Sequence, residues 1–258
     1  MQISLNGRSA IVTGGSKGLG FAIAMRLSAS GADVAIASRG KPALDEAVKA
    51  ISVTAKGRVL GVQGDVGVAA DVKRIYDEAA QKFGKIDIVV NNAGTSRNGA
   101  FETVTDEVWR EDIDQKLFAA IRLTRHAWPG MKERGFGRVI NVLNIGAKAP
   151  RAGSAPTTIS RAAGMALTKV LAHEGAPHGI LVNAMLVGFI EADQHVQRAR
   201  KEGIDLKDYI ARRVKDVPLK RIGKAEEFAN LACFLVSDAA SFITGTAINV
   251  DGGHSPVV

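Results

Sequence analysis

A glycine-rich segment between a short apolar run and a helical segment constrains the fold of this chain more than any other feature. The run TGGSKGLG at residues 13–20 follows the strand-like AIV at 10–12. Glycines in this spacing permit a tight turn, close backbone approach to a pyrophosphate and close helix-to-strand packing, and the helix N-terminus offers N–H donors to the anion. The turn therefore predicts a dinucleotide site contacted by Gly14, Ser16, Lys17, Gly18, Leu19 and Gly20.

Short β-branched runs alternate with longer segments of helical period along the whole chain. Strands are predicted at 9–13, 33–37, 59–63, 86–91, 137–142, 181–186 and 247–250. Helices are predicted at 18–30, 42–52, 69–83, 106–131, 160–174 and 224–237. This alternation is typical of βαβ units, so we expect an α/β, doubly wound (Rossmann-type) fold, with a mostly parallel seven-stranded sheet and helices on both faces.

No linker divides the 258 residues, of which 46% are hydrophobic, and we expect one domain over residues 1–258. The irregular part is a charged insertion at about 191–220. There Leu206, Ile210 and Val214 repeat every four residues, which predicts an amphipathic helix. Such a helix either forms a lid over a binding cleft or covers the sheet.

Composition excludes several classes of function. The net charge of 34 − 26 = +8 is dispersed and aromatic residues make up only 5%, so we expect no nucleic-acid partner. No apolar stretch approaches a membrane span and no leader is visible, which predicts a cytoplasmic protein without a membrane partner. Cys233 lies in an apolar run and is expected to be a buried thiol, and the histidines lack metal-ligand spacing, so no metal is expected.

The end of the second predicted strand indicates which dinucleotide binds. A carboxylate there would bond a ribose 2′-hydroxyl, but the chain reads Ser38-Arg39. Arg39 and Lys17 are two cations suited to a 2′-phosphate, which predicts NADP(H) in preference to NAD(H). The alternative is that both are solvated surface charges.

Further motifs make the chain resemble the short-chain dehydrogenases/reductases, in their main single-domain branch, over nearly all of its length. They are Asp65-Val66, NNAG at 91–94, Asn183-Ala184, ITG at 243–245 and NVDGG at 249–253. The resemblance implies that Asp65 bonds the adenine amino group, that the Val66 amide supports the ring, and that a homodimer or homotetramer forms through the helices at 106–131 and 160–174. Further cofactor contacts implied by it are Ser38, Asn91, Ala93, Gly94, Arg161 and Gly188.

The family's reaction uses a tyrosine acid/base, a lysine, a serine and an asparagine, and this chain has none of the four. Alignment of the fifth strand and the segment after it places Asn144 in the serine position, Thr157 in the tyrosine position and Arg161 in the lysine position. Residues 109–117 match the family helix that carries the asparagine and place Lys116 in its position. A threonine hydroxyl is far less acidic than a phenol, whose pKa is about 10. Asn144 still offers a hydrogen bond to a carbonyl, and Arg161 still offers one to the cofactor.

Three interpretations remain open from the sequence. The chain is an NADP(H)-dependent oxidoreductase of a carbonyl or alcohol compound, such as a 3-oxoacyl compound, with water as proton source. Alternatively, it binds NADP(H) as a sensor, regulator or partner subunit without turnover. The third interpretation is different chemistry, with an enolate or oxyanion in a cationic pocket of Lys116, Lys148, Arg151 and Arg161, in which neighbouring cations lower the pKa of Lys116. Weaker acid/base candidates are Glu191, Asp193 and His195.

Overall fold

The computed structural model describes residues 3–258, except for the side chains of residues 193 and 194. Seven strands form one parallel sheet: β1 (Ser9–Thr13), β2 (Asp33–Ser38), β3 (Val59–Gln63), β4 (Ile88–Asn91), β6 (Gly137–Asn144), β8 (Ile180–Val187) and β9 (Ala247–Val250). A separate antiparallel pair joins β5 (Asn98–Gly99) to β7 (Ala155–Pro156). The strand order β3-β2-β1-β4-β6-β8-β9 confirms the predicted doubly wound fold.

The helices are α1 (Gly18–Ala29), α2 (Lys41–Thr54), α3 (Ala69–Phe83), α4 (Asp106–Ile113), α5 (Ala119–Arg134), α6 (Thr157–Gly175), α7 (Asp193–Glu202), α8 (Leu206–Arg213) and α9 (Ala225–Leu235). They cover both faces of the sheet because successive strand side chains point to opposite sides. In β1, Ala10 and Val12 pack in one core with α1, α2 and α9. Ile11 packs in the other core with α3, α5 and α6.

The strand order reverses between β1 and β4, which places a crevice at the carboxyl ends of these neighbouring strands. Ligands bind at such switch points in open parallel sheets. Thr13, Asn91 and Asn144 end β1, β4 and β6 at this edge. The fold thus brings the glycine turn and the altered reaction positions to one side of the sheet.

The predicted helix at 106–131 is interrupted. Between α4 and α5 the chain makes a π-helical turn over Asp114–Phe118, with Lys116 at its centre. A π turn adds one residue to the helical repeat and is frequent at functional sites. The sequence predicted a helix over these residues but did not indicate the π-helical turn within it.

The insertion has its own apolar cluster beyond the end of β8. Phe189, Ala199, Tyr209 and Val217 are buried together there, and α8 confirms the predicted amphipathic helix. His195 is 5% exposed and its ring lies edge-on to Phe189, at 4.6 Å between centroids.

His195 is a packing residue rather than the acid/base candidate suggested by the sequence. Its Nε2 is 2.9 Å from the Ile190 carbonyl oxygen, and burial lowers its pKa to about 4. Of the other two candidates in this segment, Glu191 is exposed, and the side chain of Asp193 lies outside the described residues.

Two expectations about composition can be compared with the structure. Cys233 is fully buried, with its sulfur 3.4 Å from Ser30 Oγ, as predicted. Within residues 3–258, no helix combines the length and the apolarity needed to cross a bilayer.

Candidate cofactor cleft and reaction centre

The glycine turn is shaped by close backbone approaches. Gly14 has φ +65°, and a Cβ there would lie 3.0 Å from the Ala93 Cα. A Cβ on Gly20 would overlap the Gly14 carbonyl oxygen, so α1 packs against the turn only because residue 20 is glycine. Gly18 has φ +54° with open space around its Cβ position, at the first residue of α1. These features fit a pyrophosphate at the start of α1.

Asn92 fixes the glycine turn to the end of β4. Its Nδ2 donates to the carbonyl oxygens of Thr13, at 2.9 Å, and Gly14, at 3.3 Å. In return, Thr13 Oγ1 accepts from the backbone N–H groups of Asn92 and Ala93, both at 3.0 Å. The side chains of Thr13 and Asn92 therefore join the ends of β1 and β4, the two strands that flank the switch point.

A groove extends from the turn across the ends of β2 and β3. It is lined by Gly14, Ala37, Ser38, Arg39, Gly64, Asp65, Val66, Ala93, Gly94, Thr95 and Gln115. Arg39 is 63% exposed, and its guanidinium lies 3.8 Å from the Asp65 carboxylate, across the groove. Ser16 Oγ donates to Ser38 Oγ at 2.9 Å. Seven of the predicted cofactor residues thus line one groove, whereas Lys17 is exposed in the glycine turn.

Two predicted cofactor residues have mainly packing contacts. Asn91 Nδ2 donates to Asn141 Oδ1 at 2.9 Å and to Thr124 Oγ1 at 3.2 Å, so its side chain is directed between strands and helix α5. A Cβ on Gly188 would collide with the Asp251 Cβ, so glycine here allows the chain after β9 to pass close to β8.

The reaction positions form a buried polar network that we call the Lys116 network, made of Asp112, Lys116, Thr157 and Ser160. Lys116 Nζ forms an ion pair with Asp112 Oδ1 and donates to Thr157 Oγ1 at 2.9 Å. Ser160 Oγ donates to Asp112 Oδ2 at 2.7 Å, and Thr157 Oγ1 donates to Asp112 Oδ1 at 3.4 Å. The side chains of Lys116 and Asp112 are 5% and 1% exposed.

The Thr157 hydroxyl is fully occupied by this network. Besides Lys116 and Asp112, it contacts the backbone N–H of Arg97, which donates to it at 2.8 Å. Thr157 is 1% exposed. A hydroxyl with three protein partners and no exposed surface is unable to deliver a proton to a bound compound.

The electrostatics of Lys116 combine two opposing effects. Burial and, to a smaller extent, the charge of Arg161 lower the pKa of Lys116, the hydrogen bond to Asp112 raises it, and the net result is a pKa of about 8. The sequence predicted that the charge of Arg161 lowers the pKa of Lys116, but burial is the largest cause of the decrease. The amine is also enclosed, since the Lys116 side chain is only 5% exposed.

Arg161 and Asn144 retain unsatisfied polar atoms. Arg161 Nη1 donates to the Val142 carbonyl oxygen at 2.8 Å, but its Nε is buried without a partner among the described residues. Asn144 Oδ1 is likewise buried without a hydrogen-bond partner among the described residues. Burial lowers the pKa of Arg161 to about 10, so the guanidinium stays charged near neutral pH. These two groups are therefore available to a ligand.

The predicted cationic pocket is only partly assembled. Lys116 and Arg161 are close to one another, but Lys148 Nζ donates to the Ala247 carbonyl oxygen at 2.7 Å. Arg151 is exposed on the loop after β6. Among the side chains that the structure describes, no group of three or more His, Cys, Asp or Glu residues is placed to bind a metal ion.

Comparisons with known proteins cover almost the whole chain. A family model described as "Enoyl-(Acyl carrier protein) reductase" matches residues 14–255. The chain is 38% identical over 252 residues to acetoacetyl-CoA reductase of Rhizobium meliloti, which covers 96% of this chain and 98% of that protein. It is 34% identical over 256 residues to the 3-oxoacyl-(acyl-carrier-protein) reductase FabG of Pseudomonas aeruginosa, covering 97% and 98%.

A solved structure has a similar backbone fold. L-Sorbose reductase from Gluconobacter frateurii, complexed with NADPH and L-sorbose, superposes with a TM-score of 0.95 at 33% identity. The match covers 100% of both chains.

The Lys116 network predicts a specific pattern of stability. Lys116→Met should lower the free energy of unfolding by about 3–5 kcal/mol, because it leaves the Asp112 carboxylate buried without its cation. The double variant Asp112→Asn/Lys116→Met should recover much of that loss. Urea denaturation of both variants measures the effect, with Lys73→Met as the control, since Lys73 forms an exposed helical pair with Asp77. Equal losses for Lys116→Met and Lys73→Met would contradict the network.

Proposed function

The chain belongs to the short-chain dehydrogenase/reductase family of oxidoreductases, and from this premise we propose that it binds NADP(H) and exchanges hydride with a carbonyl or alcohol compound without a protein proton donor. The occupied hydroxyl of Thr157 is the observation that carries this proposal. It separates cofactor binding, for which the cleft is well formed, from the acid/base step, for which the Lys116 network leaves no group of its own free.

The preference for NADP(H) is supported by the groove. Arg39 is mostly exposed directly after the end of β2, and Lys17 is exposed in the glycine turn. No carboxylate follows β2 directly. A planar guanidinium suits the oxygens of a 2′-phosphate. The Asp65 carboxylate is 3.8 Å from Arg39, so we expect the two groups to separate when Arg39 binds phosphate and Asp65 binds the adenine amino group.

When bound, NADP(H) supplies or accepts the hydride. Arg161 stabilises negative charge that develops on the carbonyl oxygen of the substrate, because a buried cation acts strongly on such charge. The side-chain amide of Asn144 orients the substrate, because its N–H group donates to a carbonyl oxygen and its Oδ1 accepts from an alcohol. The proton is exchanged with water, which makes the reaction slower than one with a positioned acid by roughly 10²- to 10⁴-fold.

The relatives guide the choice of substrate. Two of them are named for acetoacetyl-CoA and for 3-oxoacyl groups on acyl carrier protein. We therefore propose a keto compound of the 3-oxoacyl type as the first class to test. A homodimer or homotetramer through α5 and α6 is also proposed, with support from Phe118, Ile159 and Val170, which are apolar and 44%, 52% and 53% exposed on or beside these helices.

A second candidate is an NADP(H)-binding regulator that does not turn over. The Lys116 network also favours this candidate, because the residues at the reaction positions stabilise the fold through contacts with one another, and that role needs no substrate. The two candidates differ in one observable property. The first oxidises NADPH slowly in the presence of a keto compound, and the second does not.

Arg39→Ala should weaken NADPH binding by roughly tenfold or more while changing NADH binding little, because only NADPH carries the 2′-phosphate. Calorimetric titration of both cofactors measures the two losses. Lys41→Ala is the matched control, since Lys41 is a nearby exposed cation paired with Asp45. Equal losses for NADPH and NADH in Arg39→Ala would overturn the cofactor assignment.

The reaction centre is tested by restoring the family's four groups in the variant Lys116→Asn/Asn144→Ser/Thr157→Tyr/Arg161→Lys. Its rate of NADPH oxidation with acetoacetyl-CoA should exceed that of the wild type by roughly 10²- to 10⁴-fold, the usual contribution of a positioned acid. The same variant with Thr157→Phe is the control that lacks only the hydroxyl.

The wild-type rate then separates the two candidates. Slow but measurable oxidation supports the reductase, and tight NADPH binding without oxidation, in a chain that the four changes activate, supports the regulator. A wild type that already matches the restored variant would refute the absence of a proton donor.

A further inference from the structure

Unsatisfied nitrogen atoms concentrate at the rim of the cleft beyond β8 and β9. Both ring nitrogens of His254 and the Nε of Arg213 are buried without a hydrogen-bond partner among the described residues. A neutral imidazole has one donor and one acceptor to satisfy. Buried polar atoms left without partners cost about 1–3 kcal/mol each, so this grouping indicates that a ligand supplies the missing partners.

Three chain segments meet at this rim. The Gly252 carbonyl oxygen accepts from Leu219 N at 3.2 Å, which holds the chain after β9 against the end of the insertion. His254 follows on that chain, with its N–H 3.3 Å from the Asp251 carbonyl oxygen. Arg213 ends α8, with its guanidinium carbon 5.5 Å from the centre of the Phe189 ring.

The cluster lies next to the reaction centre. Asn144 is paired in register with Val187, and Gly188, the next residue, packs directly against Asp251. The loop after β6 contributes Arg151, whose charge acts on His254 together with that of Arg213. A compound that reaches Asn144 with its carbonyl group therefore extends toward His254 with its remaining part.

The charges of this cluster favour an anion. Within the described residues, neither Arg151 nor Arg213 has a carboxylate within 4 Å. Two carboxylates do face His254, those of Asp216 and Asp251. The Asp251 carboxylate is bound by the N–H groups of Gly253, at 3.0 Å, and Ser255, at 2.7 Å, and Asp216 is exposed to solvent. The two arginines thus remain the charged groups without a strong local partner.

We propose that Arg213, His254 and Arg151 form a subsite for an anionic group, a carboxylate or a phosphate, carried by the compound that occupies the reaction centre. Arg213 supplies a planar fork suited to two oxygens of such a group, and neutral His254 donates from one ring nitrogen. As a statement about substrate, this rests on the proposed function, but as a statement about anion binding it does not.

Binding is tested on the full chain without cofactor. In spectra of the ¹⁵N-labelled imidazole groups, sodium malonate should shift the His254 resonances in a saturable way, with the assignment taken from His254→Gln. Arg213→Gln should weaken this binding by roughly tenfold. Arg212→Gln is the matched control and should bind as the wild type does, because Arg212 pairs with Glu202 on another side of α8.

A parallel titration with inorganic phosphate distinguishes the two anion types, since the tighter one identifies the group. Malonate and phosphate that both leave His254 unchanged would overturn the subsite. Equal affinity in Arg213→Gln and Arg212→Gln would do so as well.

Turnover gives an independent measurement. With NADPH, Arg213→Gln should lower kcat/KM for acetoacetate by roughly tenfold and leave the value for its uncharged methyl ester unchanged. Loss for both compounds alike would contradict a charge-specific subsite. If the wild type oxidises NADPH with neither compound, the proposed function fails, and the imidazole titration still decides whether the anion subsite exists.

Discussion

The buried ion pair between Lys116 and Asp112 determines what every other group in the reaction centre can do. An ammonium group removed from water needs a close anion, and Asp112 needs Ser160 and Thr157 for its remaining lone pairs. Satisfying these needs uses the one hydroxyl at the family's tyrosine position. The network stabilises the junction of α4, the π turn and α6, and in doing so it removes the proton donor.

The two halves of the cleft therefore differ in whether their polar groups are accessible to a ligand. In the adenosine half, the glycine turn and its hydrogen bonds to Asn92 shape an open groove, and the charged groups of that groove, Arg39 and Asp65, are accessible. In the reaction half, most polar groups are turned inward and bonded to one another. The exceptions are Arg161 and Asn144, each with a buried atom that lacks a partner. A compound bound there would contact groups that orient and stabilise charge rather than groups that transfer protons.

Sequence reasoning predicted the fold well because its signals are local. The strands at 9–13, 59–63 and 247–250 have the predicted bounds, since each is an apolar run flanked by turn or helix signals. The Lys116 network was missed for a physical reason. Asp112 and Lys116 are four residues apart, which is also the spacing of an exposed helical ion pair, and Ser160 joins them only through the tertiary fold. The grouping of His254 with Arg151 and Arg213 was likewise missed, because the three residues come from distant segments of the chain.

The most direct measurement of the central claim is the reactivity of each lysine toward trace acetic anhydride at about pH 8, quantified by peptide mass spectrometry. A pKa of about 8 would make an accessible Lys116 amine unusually nucleophilic, because more of it is unprotonated than in ordinary lysines. Enclosed in its network, Lys116 should instead react far more slowly than Lys41 or Lys73, whose side chains are 58% and 63% exposed. Labelling of Lys116 as fast as these two, or faster, would show a free amine in the cleft and contradict the account.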